Sequence, residues 1–232
     1  MTSPRGNTLG SPAVAAVLAR LRAEGAARDA PGKRRVADRE AQLGTEVYGL
    51  ERAELYGDAP LAVTAEVGEL LWLLALARRP GLIVEFGGSV GVSTIYLAAA
   101  LRDLGAGRLI STELVPRKAQ LAEANLTEAG LSDLVEVRAG DAQRTLVELP
   151  AAVDLLFLDG SNDLYLPILG LVGARLAPGA LVVADLSVGD PHHDRYVAHV
   201  RDPANGYLSA RIALDAGVVV SAAVGAPSRP DA

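Results

Sequence analysis

The chain predicts an α/β protein: an open, doubly wound seven-stranded sheet, mostly parallel, with an antiparallel C-terminal hairpin and helices on both faces. Three observations carry that prediction. Between residues 82 and 185, five short apolar runs alternate with helix-length stretches, the pattern of parallel strands joined by crossover helices. The first run, Leu82-Ile83-Val84-Glu85-Phe86, empties into Gly87-Gly88-Ser89-Val90-Gly91 and then into a helical stretch. That strand–turn–helix is where open sheets hold nucleotide-like ligands. Two late apolar runs joined by Asp215-Ala216-Gly217 read as a hairpin.

The elements follow in order. Residues 1–12 carry Pro, Gly and Ser without periodicity, so a disordered start is expected. Val14, Val17, Leu18 and Leu21 have helical spacing within 13–28, a basic polar break follows over 31–39, and 40–56 can form a second helix. Together 13–60 make an N-terminal helical cap. Thr64 is placed to cap a helix running to Arg79, with Glu66 in its first turn. Strands are expected at 82–86, 108–112, 134–138, 153–158 and 180–184, with helices at 92–104, 116–129, 141–149 and 163–176. The late runs 207–214 and 218–224 complete a ligand-binding domain over 61–225, and 226–232 read as a frayed tail.

Composition narrows the function. Half of the 232 residues are hydrophobic, enough for one domain with a substantial core. The net charge of −6 argues against a broad cationic face for nucleic acid. With no cysteine, disulfides, zinc-thiolate sites and thiol nucleophiles are excluded. No apolar run is long enough to span a bilayer and the N-terminus lacks a signal-peptide core, so a cytoplasmic protein is expected.

The glycine loop discriminates between cofactors. A dinucleotide fingerprint needs glycine at the first, third and sixth positions; counting from Gly87 these hold Gly87, Ser89 and Val92. A Walker loop needs Gly-Lys-Ser/Thr, which is absent from the chain. S-adenosylmethionine instead asks for a close backbone, which Gly87 and Gly88 allow, an acid near its cationic end, and an acid for the ribose diol. Glu85 closes the first strand, and Glu113 follows the second, where a ribose-binding acid is expected. Its carboxylate can accept both hydroxyl protons. Asp141 follows the third strand, within reach of an adenine amino group, while Asp159 and Asp185 end the fourth and fifth. Any one of these acids could be a helix cap; five in register with the strands point to one crevice.

These residues resemble the class I S-adenosylmethionine-dependent methyltransferases, and more narrowly their catechol/caffeoyl-CoA O-methyltransferase-like branch. The signature pieces are Val63-Thr64, Glu85-x-Gly87-x-Ser89-x-Gly91-x-Ser93, Thr112-Glu113, Gly140-Asp141-Ala142, Leu158-Asp159-Gly160-Ser161-Asn162 and the run ending in Ala184-Asp185. The resemblance covers roughly residues 60–224. It implies that Val63, Gly87, Ser89 and Ser93 surround the methionine part, that Glu113 binds the ribose, and that Leu114, Asp141 and Ala142 hold the adenine. It further implies a small-molecule acceptor, most often a hydroxyl, in bacterial specialised metabolism, with the leading helices covering the acceptor and packing in a homodimer.

Two departures bear on catalysis. Metal-dependent members hold Mg²⁺ with three side chains and use a lysine beside the first. The corresponding positions here are Asp159, Asp185 and Leu186, with Asn162 at the lysine position. Leu186 offers no oxygen to a hard cation and Asn162 is no base near neutral pH. A metal-independent enzyme is therefore expected; were a metal bound, Asp159 and Asp185 would hold it. His192 and His193 follow the fifth strand and are candidates for the missing base, with Asp190 or Asp194 to orient them. Methyl transfer to nitrogen or carbon, and a non-catalytic cofactor-binding protein, are the alternative readings.

Overall fold

The computed structural model describes residues 7–187 and 189–225. Its helices are α1 (Pro12–Leu43), α2 (Gly49–Tyr56), α3 (Ala65–Arg78), α4 (Val92–Leu104), α5 (Pro116–Glu128), α6 (Ala142–Thr145), α7 (Tyr165–Gly173) and α8 (Pro191–Arg201). Its strands are β1 (Leu82–Phe86), β2 (Arg108–Glu113), β3 (Val135–Ala139), β4 (Val153–Leu158), β5 (Leu176–Asp185), β6 (Tyr207–Ile212) and β7 (Val218–Ala223). The seven strands form one sheet in the order β3-β2-β1-β4-β5-β7-β6. Pairing is parallel from β3 through β5; β7 runs antiparallel between β5 and β6. The predicted fold class holds.

Strand order reverses between β1 and β4, so the crevice at their carboxyl ends is the expected ligand position. Every residue of β1 is buried, because helices cover both faces. Side chains alternate between two apolar clusters: Ile83 joins Leu97, Leu109, Leu155 and Phe157 on one face, while Leu82 and Val84 join Leu156, Leu158 and Ile168 on the other. Thr64 caps α3, its hydroxyl accepting from the Val67 N–H at 3.3 Å.

α3 and α4 close against each other at Gly68, where an added Cβ would overlap the buried Tyr96 ring. Gly68→Ala is therefore expected to destabilise the fold by about 1–3 kcal/mol, because the buried ring would have to shift to admit the methyl group. A chemical-denaturation midpoint unchanged from wild type would contradict that packing.

The N-terminal cap differs from expectation. In place of two helices broken over 31–39, α1 is continuous through Pro31 and ends at Gly44, whose φ of 69° reverses the chain; α2 starts only at Gly49. An internal proline costs a helix about 3 kcal/mol or more. Tertiary contacts offset it. Gly32 packs against Tyr56 and Ala59 at the end of α2, and Arg35 donates to the carbonyls of Leu55 and Tyr56 at 2.7 and 3.0 Å.

The start also differs. Thr8–Gly10 form a 3-10 turn, and both the N–H and the hydroxyl of Thr8 bond Asp103, at 2.9 and 2.5 Å. Residues 1–6 and the tail 226–232, both expected to be disordered, lie outside the described residues. No helix among the described residues is long and apolar enough to cross a membrane.

Candidate active site

The carboxyl ends of β1, β2, β3 and β4 and the inner side of α1–α2 enclose a cavity of about 690 Å³. Its floor begins with the loop after β1. Gly87 has φ 96°, and an added Cβ there would lie 2.5 Å from Gly160 Cα and 2.6 Å from the Asp159 carbonyl oxygen. The β1 and β4 turns thus touch backbone to backbone, a contact only glycine permits.

Ser89 next fixes Glu113. Its N–H donates to Glu113 Oε2 at 2.9 Å, and Val115 N–H donates to Oε1 at 2.8 Å. Burial pushes the Glu113 carboxyl up, while these N–H groups and the charge of Lys118 pull it down. Ser89 itself sits at φ 47° and is anchored through its hydroxyl, which donates to the Pro60 carbonyl at 2.8 Å. Leu114, Asp141 and Ala142 continue the wall, with Asp141 capping α6 through the Gln143 N–H.

Four residues expected at the methionine end stand behind this wall instead. Glu85 is fully buried, and its Oε2 accepts from Thr94 and Ser111 hydroxyls at 2.6 and 2.5 Å. It is still inside the sheet, paired in register with Ser111, so it braces β2 and α4 and does not line the cavity. Burial raises its pKa. Gly88 faces the same interior, where a Cβ would strike the Ser111 hydroxyl. Ser93 is buried beside Glu85, and Val63 is buried in the apolar core.

Asp159 and Asp185 lie side by side just past the paired residues Leu158 and Ala184. Burial, then the charge of Asp185, raises the Asp159 pKa well above the usual carboxylate range. Asp185 is pushed up to about 6 by burial and by Asp215. Asp215, read in the sequence only as a turn residue, is exposed and acts on this pair through its charge alone. Asp159 lines the cavity, whereas Asp185 has one carboxylate oxygen buried and unpartnered. Leu186, at the third metal position, is buried in the core, and no three His, Cys, Asp or Glu side chains among the described residues could hold a metal. The donor set does not match the family's Mg²⁺ site.

The histidines depart from expectation most. His193 is 2% exposed, its Nδ1 accepts from the Ser187 N–H at 2.7 Å, and its ring packs 4.6 Å from that of Tyr165. Burial lowers its pKa, so it is a neutral interior residue. His192 Nδ1 lies 2.6 Å from Arg195 Nη2, and its Nε2 lies 3.1 Å from the Tyr48 hydroxyl. A guanidinium only donates, which assigns the ring proton to Nε2 and directs it to Tyr48; Tyr48 in turn donates to Glu46. Neither histidine offers a free lone pair to the cavity, so the expected replacement base is not in place. Asn162 does line the cavity, its amide donating to Asp190 at 2.6 Å.

Sequence reasoning placed the leading helices over the acceptor but singled out none of the residues that form this roof, and it missed part of the wall. Tyr48, Leu50, Arg52 and Tyr56 cover the cavity along α2 and the residue before it, and Gln143 and Lys118 face it from α6 and α5. Only the adjacency of Gln143 to Asp141-Ala142 could have flagged one of them.

Residues 84–185 match the model of a methyltransferase domain. Catechol O-methyltransferase of Niastella koreensis is 33% identical over 138 residues, covering 58% of this chain and 62% of that protein. The chain thus spans about three-fifths of that relative's length. Catechol O-methyltransferase of Sus scrofa is 32% identical over 141 residues, covering 58% of this chain and 74% of the relative. The O-methyltransferase TomG of Streptomyces achromogenes, solved in complex with SAM, superposes with a TM-score of 0.64 at 28% identity, covering 71% of this chain and 82% of that one. The glycine loop, the strand-end acids and these relatives agree: the chain belongs to the catechol O-methyltransferase-like family of methyltransferases.

Proposed function

We propose that the protein is an S-adenosylmethionine-dependent O-methyltransferase acting on a small molecule held between the α2 roof and the Asp159–Asn162 turn, without the family's metal. The observation that carries the reading is Glu113: a buried carboxylate, fixed by two N–H groups, facing a cavity whose floor is the Gly87 loop. That is the placement a ribose diol requires. Leu114, Asp141, Ala142 and Gln143 would flank the adenine beyond it.

The cofactor supplies a methyl group already activated on a sulfonium. The residues position the acceptor oxygen in line with the carbon–sulfur bond, and alignment of that kind is worth about 7–11 kcal/mol. Tyr48, Leu50 and Tyr56 would exclude water above the acceptor, and Asn162 would hold its polar end. Asp159, at the end of β4 in the cavity wall, would take the hydroxyl proton in its ionised form, which burial and Asp185 make more basic. His192 ties the roof to α8 through Tyr48 and serves positioning only. The cap (13–60) and the catalytic unit (61–225) act together in this reading, within a cytoplasmic homodimer serving specialised metabolism.

Calorimetry with S-adenosylhomocysteine tests the assignment: one molecule bound per chain is expected, with no heat from NAD, and absence of binding overturns it. With S-adenosylmethionine and a phenol panel, chelator-treated protein should turn over its acceptor at an undiminished rate. Activity recovered only on adding Mg²⁺ would mean that Asp159 and Asp185 hold a metal without a third side-chain ligand.

A further inference from the structure

Lys118 is a buried cation that the reaction described so far does not use. It is 4% exposed, sits in the first turn of α5, and lines the cavity beside Glu113. Its Nζ lies 3.4 Å from Ser89 Oγ, whose own hydrogen is given to Pro60, so the ammonium is the donor. An ammonium has three hydrogens, and two of these have no partner among the described residues.

The nearby carboxylates do not absorb it. Asp29 accepts from the Leu61 N–H, Asp58 pairs with Arg117, and Glu113 takes the Ser89 and Val115 N–H groups. Their charges still counter the burial that lowers the lysine's pKa. The other cavity cations are placed differently: Arg52 is tied to Glu40 and the Val47 carbonyl, and Lys33 is exposed in the roof. A buried ammonium with one partner of three costs stability unless a ligand oxygen completes it.

The ribose supplies that oxygen. A carboxylate only accepts, so Glu113 can take the hydroxyl hydrogens of a diol and leaves the hydroxyl lone pairs without donors. We infer that Lys118 is a second ribose-binding residue, donating to a hydroxyl oxygen of the same ribose whose hydrogens Glu113 accepts. The inference rests on the cofactor reading above and extends it. The acid and the cation grip one diol from two sides, and Ser89 bridges them, since its N–H meets Glu113 and its hydroxyl meets Lys118.

The test removes one partner on each side. S-adenosylhomocysteine and its 2′,3′-dideoxy analogue are titrated calorimetrically into wild type and Lys118→Met. The substitution should weaken S-adenosylhomocysteine about 10- to 100-fold, the value of a hydrogen bond from a charged group, and leave the dideoxy analogue within about 3-fold of its wild-type affinity. Equal weakening of both ligands would make Lys118 a structural residue and overturn the inference. If Lys118→Met does not fold, Lys118→Leu, which likewise has no donor, carries the same comparison. Wild type that binds neither ligand defeats the cofactor reading itself, a result distinct from binding without coupling.

Discussion

Gly87→Ala is expected to abolish measurable S-adenosylhomocysteine binding and to lower the melting temperature. Two costs combine. The residue sits at φ 96°, outside the regions open to L-amino acids, and the new Cβ would lie 2.5 Å from Gly160 Cα. The struck atoms are backbone on the opposing turn, so no rotamer change relieves them. A total of roughly 3–5 kcal/mol is expected, in the range reserved for strained or overpacked sites. Gly44→Ala is the control: its φ is 69°, but nothing lies within 4 Å of the added Cβ. That variant should lose only about 1 kcal/mol and bind normally. Thermal denaturation and calorimetry on both variants separate the clash from the dihedral cost, and equal behaviour of the two would refute the backbone contact.

The second large effect is expected at Glu113. Glu113→Ala removes the acceptor for both ribose hydroxyls and should weaken S-adenosylhomocysteine about 100- to 1,000-fold, on the order of 3–4 kcal/mol for two charge-assisted hydrogen bonds. The pH dependence has opposite signs for stability and for binding. Burial raises the folded pKa of Glu113 above its unfolded value, so its penalty on folding is absent below the unfolded pKa and is incurred as pH rises through the folded one. Ligand binding needs the ionised carboxylate, so affinity should fall as pH drops through that same folded pKa. Calorimetry across an acidic pH series checks this; an affinity flat with pH in wild type, or a Glu113→Ala variant that binds normally, would remove Glu113 from the ribose site.

What the sequence revealed and what it concealed divide along physical lines. β1 and β4 have the predicted bounds, because apolar runs cut off by glycine or aspartate leave no other register. Glu113, Asp141 and Asp159 reach the cavity as expected, since each stands at or just beyond the end of its strand. Glu85 does not, because it is one residue short of its strand's end and its neighbour across the ladder is Ser111. That difference of one position is invisible until the sheet register is known. The break assigned to 31–39 failed for a related reason. Local propensity favours a stop at Pro31, and only tertiary contacts, Gly32 on Tyr56 and Arg35 on the carbonyls of Leu55 and Tyr56, override it. The histidines were legible as a cluster near the crevice, but their ring nitrogens are taken up by Ser187, Arg195 and Tyr48, two of which lie outside the helix α8 that carries them.

The roof over the cavity has a practical consequence for altering the enzyme. Tyr48, Leu50, Ala53 and Tyr56 all face the cavity from one stretch of nine residues, whereas every residue assigned to the methyl donor comes from the sheet side. In the proposed reading, the apolar part of the acceptor chamber and the donor contacts therefore come from separate segments, with the Asp159–Asn162 turn alone shared with the sheet side. A library confined to those four positions can reshape the chamber over the acceptor while the donor machinery stays as it is, and grafting the equivalent segment from a relative should transfer that relative's preference.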